Sequence, residues 1–319
     1  MPSTLLVVLP IFALVFSGCL VRRIGVLGAA ATTELNRFVV FLALPALLFD
    51  VTAHAHGSAI WKPGFIAAFG LSSLAVFSVT VLIRRGAGRP LADAAVDGLN
   101  AGYANCGFMG FPLALVAFGP EALAPTTVAA ILTVCGVFAV AIALIETGLR
   151  VEAAATGLEG PGVPVWRAVA RSLVRNPLLV APALGALVPS AGLTLPAPVE
   201  TFLKLLGGAA APCALVALGL FLAQKRRPRS RGQGRVAALL VGLKLAVHPL
   251  LAYGLGRYVF ELPPLLLHVA VLMAALPTGT GPFMLAEFYR READLTATVV
   301  LVSTVLAVVT VPAYLAVIA

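Results

Sequence analysis

Apolar residues fall along this chain in ten long runs, separated by short stretches where charge and glycine collect. The runs cover about 4–21, 36–53, 64–83, 91–118, 123–149, 169–188, 198–223, 236–257, 265–289 and 294–318. Each approaches or exceeds the roughly 20 residues that a helix needs to cross a bilayer, and each is rich in Leu, Ala and Val. The pattern predicts ten transmembrane helices.

Composition agrees. Of 319 residues, 61% are hydrophobic and 11% are charged. Soluble domains run at about 45–50% apolar and roughly 25% charged. The bilayer is the solvent, and the fold class is an all-α membrane protein.

The net charge of +9 does not indicate a nucleic-acid partner, because no basic stretch is interleaved with aromatics in a soluble segment. The basic residues instead sort by loop. One alternate set of loops holds Arg22, Arg23 and Arg37; Arg84, Arg85 and Arg89; Arg150, Arg167, Arg171 and Arg175; Lys225, Arg226, Arg227, Arg229, Arg231 and Arg235; and Arg290 and Arg291, eighteen in all. The opposite set holds only Lys62 and Arg257. This asymmetry predicts a multi-pass protein of the inner (plasma) membrane with both termini on the non-cytoplasmic side. Leu5 to Leu20 precede Arg22 and Arg23, the reverse of a signal peptide, so the first run is expected to stay.

The connection near 150–168 is the longest polar one and divides the chain into 1–150, a short cytoplasmic linker 151–168, and 169–319. Five spans on each side is an odd number, so the second half must be inverted relative to the first, as in many secondary transporters. Prolines repeat with it. Pro10, Pro45 and Pro112 fall in runs 1, 2 and 4, and Pro182, Pro212 and Pro282 in the matching runs of the second half. Both fourth runs read P-x-x-L-x-x-F, as Pro112, Leu115, Phe118 and Pro282, Leu285, Phe288.

Two runs carry helix breakers at mid-depth. Run 4 contains Asn105, Cys106, Gly107, Gly110 and Pro112; run 9 contains Pro277, Thr278, Gly279, Thr280, Gly281 and Pro282. Proline removes a backbone donor and clashes with the preceding turn. A broken helix survives in hydrocarbon only where it is buried in protein or lines a wet cavity. Matched interruptions in two halves point to a transport site. Each break makes a helix N-terminus with unpaired N–H groups and partial positive charge, suited to a carboxylate. Asn105, Thr278 and Thr280 add polar groups there.

The run from Asn105 to Leu113 resembles the N-x-x-x-x-G-x-P-L motif of the auxin efflux carrier family, which includes plant PIN carriers and bacterial dicarboxylate carriers. Leu276 to Phe283, with Ala286 and Tyr289, resembles that family's motif in span 9; Arg175-Asn176-Pro177 and Lys244-Leu245 with Pro249 also match its pattern. The resemblance implies ten helices in two inverted repeats, with broken helices crossing in spans 4 and 9. This fold resembles that of PIN carriers and bile-acid symporters. It implies a moving bundle against a scaffold, elevator-type alternating access, and a small organic anion as substrate, such as a dicarboxylate or indole-3-acetate. It also implies that Asn105 contacts the substrate carboxylate. The large cytosolic loop of many plant members is absent, and Cys106, Phe108, Thr278 and Thr280 alter the motif.

Ionisable residues inside the runs leave alternatives open. Lys244, with His248 one turn on, reads as a cationic wall, a proton-linked group, or a lysine holding backbone carbonyls. Asp50 lacks a local basic partner and is a candidate for proton coupling. Lys204 is placed to snorkel. Glu146 is expected to pair with Arg150, and Glu287 with Arg290 or Arg291; Asp97 and Asn100 to line the cytoplasmic path; His54, His56 and His268 to be superficial. Cys19, Cys106, Cys135 and Cys213 lie in apolar runs without metal-ligand spacing, so no metal or cofactor is expected. Gly207 and Gly208 could permit close helix contact, within one molecule or in a homodimer. The alternatives to a carrier are an anion channel using the same breaks and a membrane-embedded enzyme. The chain lacks H-E-x-x-H, G-x-S-x-G and phosphate-loop motifs.

Overall fold

In the computed structural model the described residues are 2–28, 30–54, 62–156, 174–175, 177–223 and 231–318; apart from short turns they are helical, with no strand among them. Most of the linker, Arg167, Arg171, Asn176, His56 and the cluster Lys225 to Arg229 lie outside these residues.

Twelve helices organise the described chain. They are α1 (Pro2–Arg23), α2 (Ala31–Ala53), α3 (Pro63–Gly86), α4 (Leu91–Gly102), α5 (106–118), α6 (Pro120–Ala155), α7 (Pro177–Ser190), α8 (Ala197–Leu222), α9 (Gly232–Val259), α10 (Pro264–Ala275), α11 (Gly281–Phe288) and α12 (Ala293–Ile318). Six of these, α2, α3, α6, α8, α9 and α12, are long and apolar enough to cross a membrane. Large apolar side chains stand exposed on their outer faces, with Leu82 at 70%, Leu205 at 75% and Leu250 at 70% exposure. That surface fits lipid, where an exposed leucine costs nothing.

Three of the π-type turns have a common local cause. Val39–Ala43, Cys106–Gly110 and Leu243–Val247 each end two residues before a proline, at Pro45, Pro112 and Pro249. A proline ring pushes on the preceding turn and leaves a carbonyl without its donor. Widening that turn relieves the clash while the chain stays helical.

The helices pack in two groups. In the first, α1 lies on α8, and α7 and α8 lie on α2. Small residues set these contacts. A Cβ on Gly18 would run into the Val216 carbonyl oxygen, and one on Gly219 into that of Val15, so α1 and α8 meet backbone to backbone. Gly207 packs on Leu47 of α2, which accounts for that glycine within one molecule; a Cβ on Gly208 would meet nothing. In the second group, α3 packs on α4, α4 on α6, α9 on α10 and α12, and α11 on α12. The groups meet where α1 touches α5 and α12, and α2 touches α11.

An ion network ties one end of the second group. Arg84 Nε donates to Asp97 Oδ2 at 2.6 Å, Arg89 to Asp93 at 3.1 Å and Arg291 to Asp93 at 3.2 Å, and Arg291 and Arg89 also pair with Glu152 and Glu292. One expectation changes here and another narrows. Asp97 is fully buried against Arg84, because α3 and α4 pack tightly, so it does not line an open path. Of the two partners expected for Glu287, Arg291 serves Asp93 and Glu152 from neighbouring helices, which leaves Arg290 as its basic neighbour.

Candidate functional site

The two interruptions meet. Helix α4 stops at Gly102, Tyr103 runs extended and the chain turns at Asn105; α10 stops at Ala275 and the chain leaves the helix at Leu276. Ala104 and Thr278 form a single antiparallel bridge. Asn105 N–H donates to the Pro277 carbonyl at 2.9 Å, and Gly279 N–H to the Tyr103 carbonyl at 3.3 Å. Each break thus supplies partners that the other lost when its helical turn was removed, groups that would otherwise cost several kcal/mol apiece in hydrocarbon. The Tyr103 ring covers the crossing. A Cβ on Gly279 would stand 2.8 Å from it and one on Gly281 2.7 Å, so this approach requires glycine.

The prolines sit differently from expectation. Pro112 is the second residue of the regular segment Phe111–Phe118, and Pro282 is the second residue of α11. Pro282 thus stands in a first turn, where the missing N–H has no partner to lose and the fixed φ suits the helix, whereas Pro112 follows the widened turn 106–110 inside α5. Pro282 begins the second half-helix of its pair; in the other pair the interruption lies at Tyr103 to Asn105, before α5 begins, and Pro112 comes later within that helix.

Beside the crossing lies a cavity of about 70 Å³, between the two helix groups. Asn105, Gly107, Thr280 and Gly281 line one side, at the starts of α5 and α11, with Tyr103, Val134 and Met284 around them. Val39, Leu44 and Leu47 of α2, and Ala210, Ala211 and Ala214 of α8, form the opposite wall. Two helix N-termini therefore open on one small space, and their leading N–H groups carry partial positive charge. Asn105 is only 6% exposed, and its side chain does not cap α5. No Lys, Arg, His, Asp or Glu lines it among the described residues.

The remaining expected site residues stand behind this surface. Cys106 is buried, its sulfur 3.7 Å from Thr133 Oγ1. Gly110 abuts Met273, where a Cβ would come within 2.9 Å of the sulfur. Pro277 and Gly279 join the two breaks, and Pro282 is buried. Thr278 faces away from the cavity. Its hydroxyl donates to the Asn100 carbonyl at 2.7 Å, and its N–H donates to Ser303 Oγ at 3.1 Å. Asn100 Nδ2 in turn donates to Thr296 Oγ1 at 2.9 Å.

Lys244 and His248 are fully buried and do not line the cavity. Lys244 Nζ donates to the Ala274 carbonyl at 2.6 Å and lies 3.1 Å from His248 Nδ1. His248 Nε2 is 3.0 Å from Ser73 Oγ, which donates to the Phe69 carbonyl at 2.9 Å. Of the readings left open, the geometry matches a lysine holding a carbonyl at the C-terminal, partially negative end of α10. Asp50 also differs from expectation. His54, one turn on, places Nδ1 3.2 Å from its carboxylate and Nε2 3.3 Å from Glu200, joining α2 to α8 away from the cavity. The hydrogen bond to the Asp50 carbonyl and the nearby carboxylates raise the His54 pKa above its usual value.

Sequence reasoning did not single out Tyr103 or the wall from α2 and α8. A tyrosine two residues before the motif was the signal available for the first. The wall consists of ordinary apolar residues and alanines, which become cavity lining only through tertiary packing.

Comparison with known proteins bears on this arrangement. The membrane transport protein family matches residues 4–315. A Rhizobium meliloti (strain 1021) protein named "Putative malonate transporter" is 31% identical over 308 residues, covering 95% of this chain and 92% of that protein. A Methanothermobacter thermautotrophicus protein named "Uncharacterized transporter" is 30% identical, covering 96% and 95%. "Auxin efflux carrier component 1" of Arabidopsis thaliana is 31% identical over 149 residues, which is 46% of this chain and 23% of that protein.

Proposed function

The chain belongs to the membrane transport protein family, and from that premise we propose that it is a secondary carrier of a short organic anion, not an enzyme. The observation that carries this reading is the opening of two helix N-termini, with the uncapped Asn105, on one small cavity between two groups of helices. The amide of Asn105 and the leading N–H groups of α5 and α11 receive one carboxylate. The group containing α3 to α6 and α9 to α12 moves against the group of α1, α2, α7 and α8, carrying the site across the membrane.

Ten spans follow when α4 with α5, and α10 with α11, are each taken as one interrupted span. An inverted repeat is supported by the packing: α1 lies on α8 as α7 lies on α2, and α3 on α4 as α9 on α10. The loop distribution of Arg and Lys favours both termini outside the cytoplasm.

Size and charge narrow the substrate. A cavity of about 70 Å³ favours a short acid over one that carries an indole ring. Its lining offers one anion a place and a second charge none, because the opposite wall is Val39, Leu44, Leu47 and alanines. The substrate is therefore a short monovalent carboxylate, including a dicarboxylate such as malonate when singly protonated. Transport of a dicarboxylate then carries a proton with it.

The test is uptake and counterflow of labelled acetate, malonate and indole-3-acetate in proteoliposomes from acid to neutral pH. This reading expects saturable counterflow of the short acids, with malonate favoured at acid pH, and none of the indole acid. Preference for the indole acid, or malonate uptake that rises with its fully ionised form, would overturn it.

A further inference from the structure

A second space, of about 110 Å³, lies between α2 and the end of α11. Thr33, Asn36 and Arg37 line it from α2, and Glu287, Phe288 and Arg290 from the other side. Thr33, Arg37 and Arg290 are exposed, so it opens on the arginine-rich side of the molecule. One helical turn separates it from the substrate cavity. On α2 the step runs from Asn36 to Val39, and on α11 from Glu287 to Met284. Val39 and Met284 line the substrate cavity, while Asn36 and Glu287 line the outer space.

Asn36 fills this step. It is 2% exposed, and its Nδ2 donates to the Met284 carbonyl at 3.4 Å, a long bond that ties one group of helices to the other. Its Oδ1 is buried and finds no hydrogen-bond partner among the described residues. Phe41 and Phe288 pack edge to face across the same seam, with ring centres 5.6 Å apart. The seam is therefore shut by a contact that satisfies only half of a buried amide, and leaving the other half without a partner costs free energy.

We propose that Asn36 is the gate of the substrate cavity on the side of Arg37 and Arg290, an assignment that rests on the carrier reading above. In the closed arrangement its side chain plugs the step between the two spaces. When α11 draws away from α2, both atoms of the amide meet water, and the partner gained by Oδ1 offsets the weak bond lost by Nδ2. An anion released from the starts of α5 and α11 then leaves past Arg37 and Arg290, whose two positive charges outnumber the Glu287 carboxylate there.

The test reads access to the cavity. Ala211→Cys, on the α8 wall, is the reporter inside the gate, and Thr33→Cys is the control outside it. The full chain is held in sealed vesicles of one orientation, and a small membrane-impermeant anionic thiol reagent is added on one side. The modified residues are identified by mass, which scores the native cysteines apart. Asn36→Ala shortens the plug and joins the two spaces, so the reporter should react about tenfold faster from the Arg37 side and no faster from the other. Asn36→Leu keeps the volume and removes the unpartnered oxygen, so the reporter should react about fivefold more slowly from the Arg37 side. The control should react alike in all three backgrounds. A reporter rate unchanged in both variants, or raised from the opposite side, would overturn the proposal. Counterflow does not enter this readout, so a failure of the gate and a failure of the carrier reading are told apart.

Discussion

On one side of the crossing, the carbonyl ends of α4 and α10 are held by the protein itself. Lys244 takes the Ala274 carbonyl, and the Thr278 hydroxyl takes that of Asn100. On the other side, the N–H ends of α5 and α11 open on a cavity, and the side chain of Asn105 leaves its own helix uncapped. Both pairs of ends are costly to leave bare in a low-dielectric interior. The chain resolves the negative ends with buried side chains and leaves the positive ends for something it does not contain. That asymmetry is the physical basis for proposing an anion, and not a cation, as cargo.

Mutations on the two sides should therefore fail differently. The largest effect belongs to the open side. Asn105→Ala should lower carboxylate transport by about 10- to 100-fold, the loss expected of a hydrogen bond to a charged group, with little change in thermal stability. Proteoliposome counterflow beside a melting curve checks both halves of that statement. At the crossing itself, Gly279→Ala drives a Cβ into the Tyr103 ring and should destabilise by about 1–3 kcal/mol, read from thermal unfolding in detergent. On the closed side, Thr278→Val leaves the Asn100 carbonyl buried without its donor. It should cost about 1–2 kcal/mol of stability while the half-saturating concentration of substrate moves less than about twofold. A transport defect in Thr278→Val as deep as that of Asn105→Ala would erase the distinction between the sides.

The smallest effect lies away from the crossing, at His54. Its pKa is raised in the folded chain, so its contribution to stability is present below the unfolded value and is lost as pH rises through the folded value. His54→Gln should therefore flatten the decline in melting temperature over that interval and leave transport alone. A decline unaltered in the variant would remove His54 from the contact between α2 and α8.

How much of this could be read before the structure depends on whether a feature is local. The helix at 63–86 against a run at 64–83, and that at 197–222 against 198–223, follow from uninterrupted apolar length. The two interruptions were legible from Gly and Pro, but their mechanism was not. Pro112 and Pro282 read as breakers by chemistry, yet Pro282 begins a half-helix and Pro112 lies within one, past the break. The backbone departs at Tyr103, where partners 170 and more residues away make an extended strand tolerable. Lys244 was legible as a buried charge with a purpose; that the purpose is the Ala274 carbonyl needed the path of α10 beside α9. Asp50 was read without its partner because His54, which is at the surface as expected, is also its neighbour one turn on. The alanine wall of α8 carried no local signal at all, since an alanine on any membrane helix looks the same until another helix faces it.

The central claim is that two open helix N-termini and Asn105 hold one negative charge. Its most direct measurement is the affinity of the purified protein for a short carboxylate and for its neutral amide of the same shape, acetate against acetamide, by calorimetry or ligand-protected unfolding, in the parent chain and in Asn105→Ala. The account predicts binding of the carboxylate, none of the amide, and a loss of about tenfold or more in the variant. Equal binding of acid and amide, or an acid affinity untouched by Asn105→Ala, would contradict it.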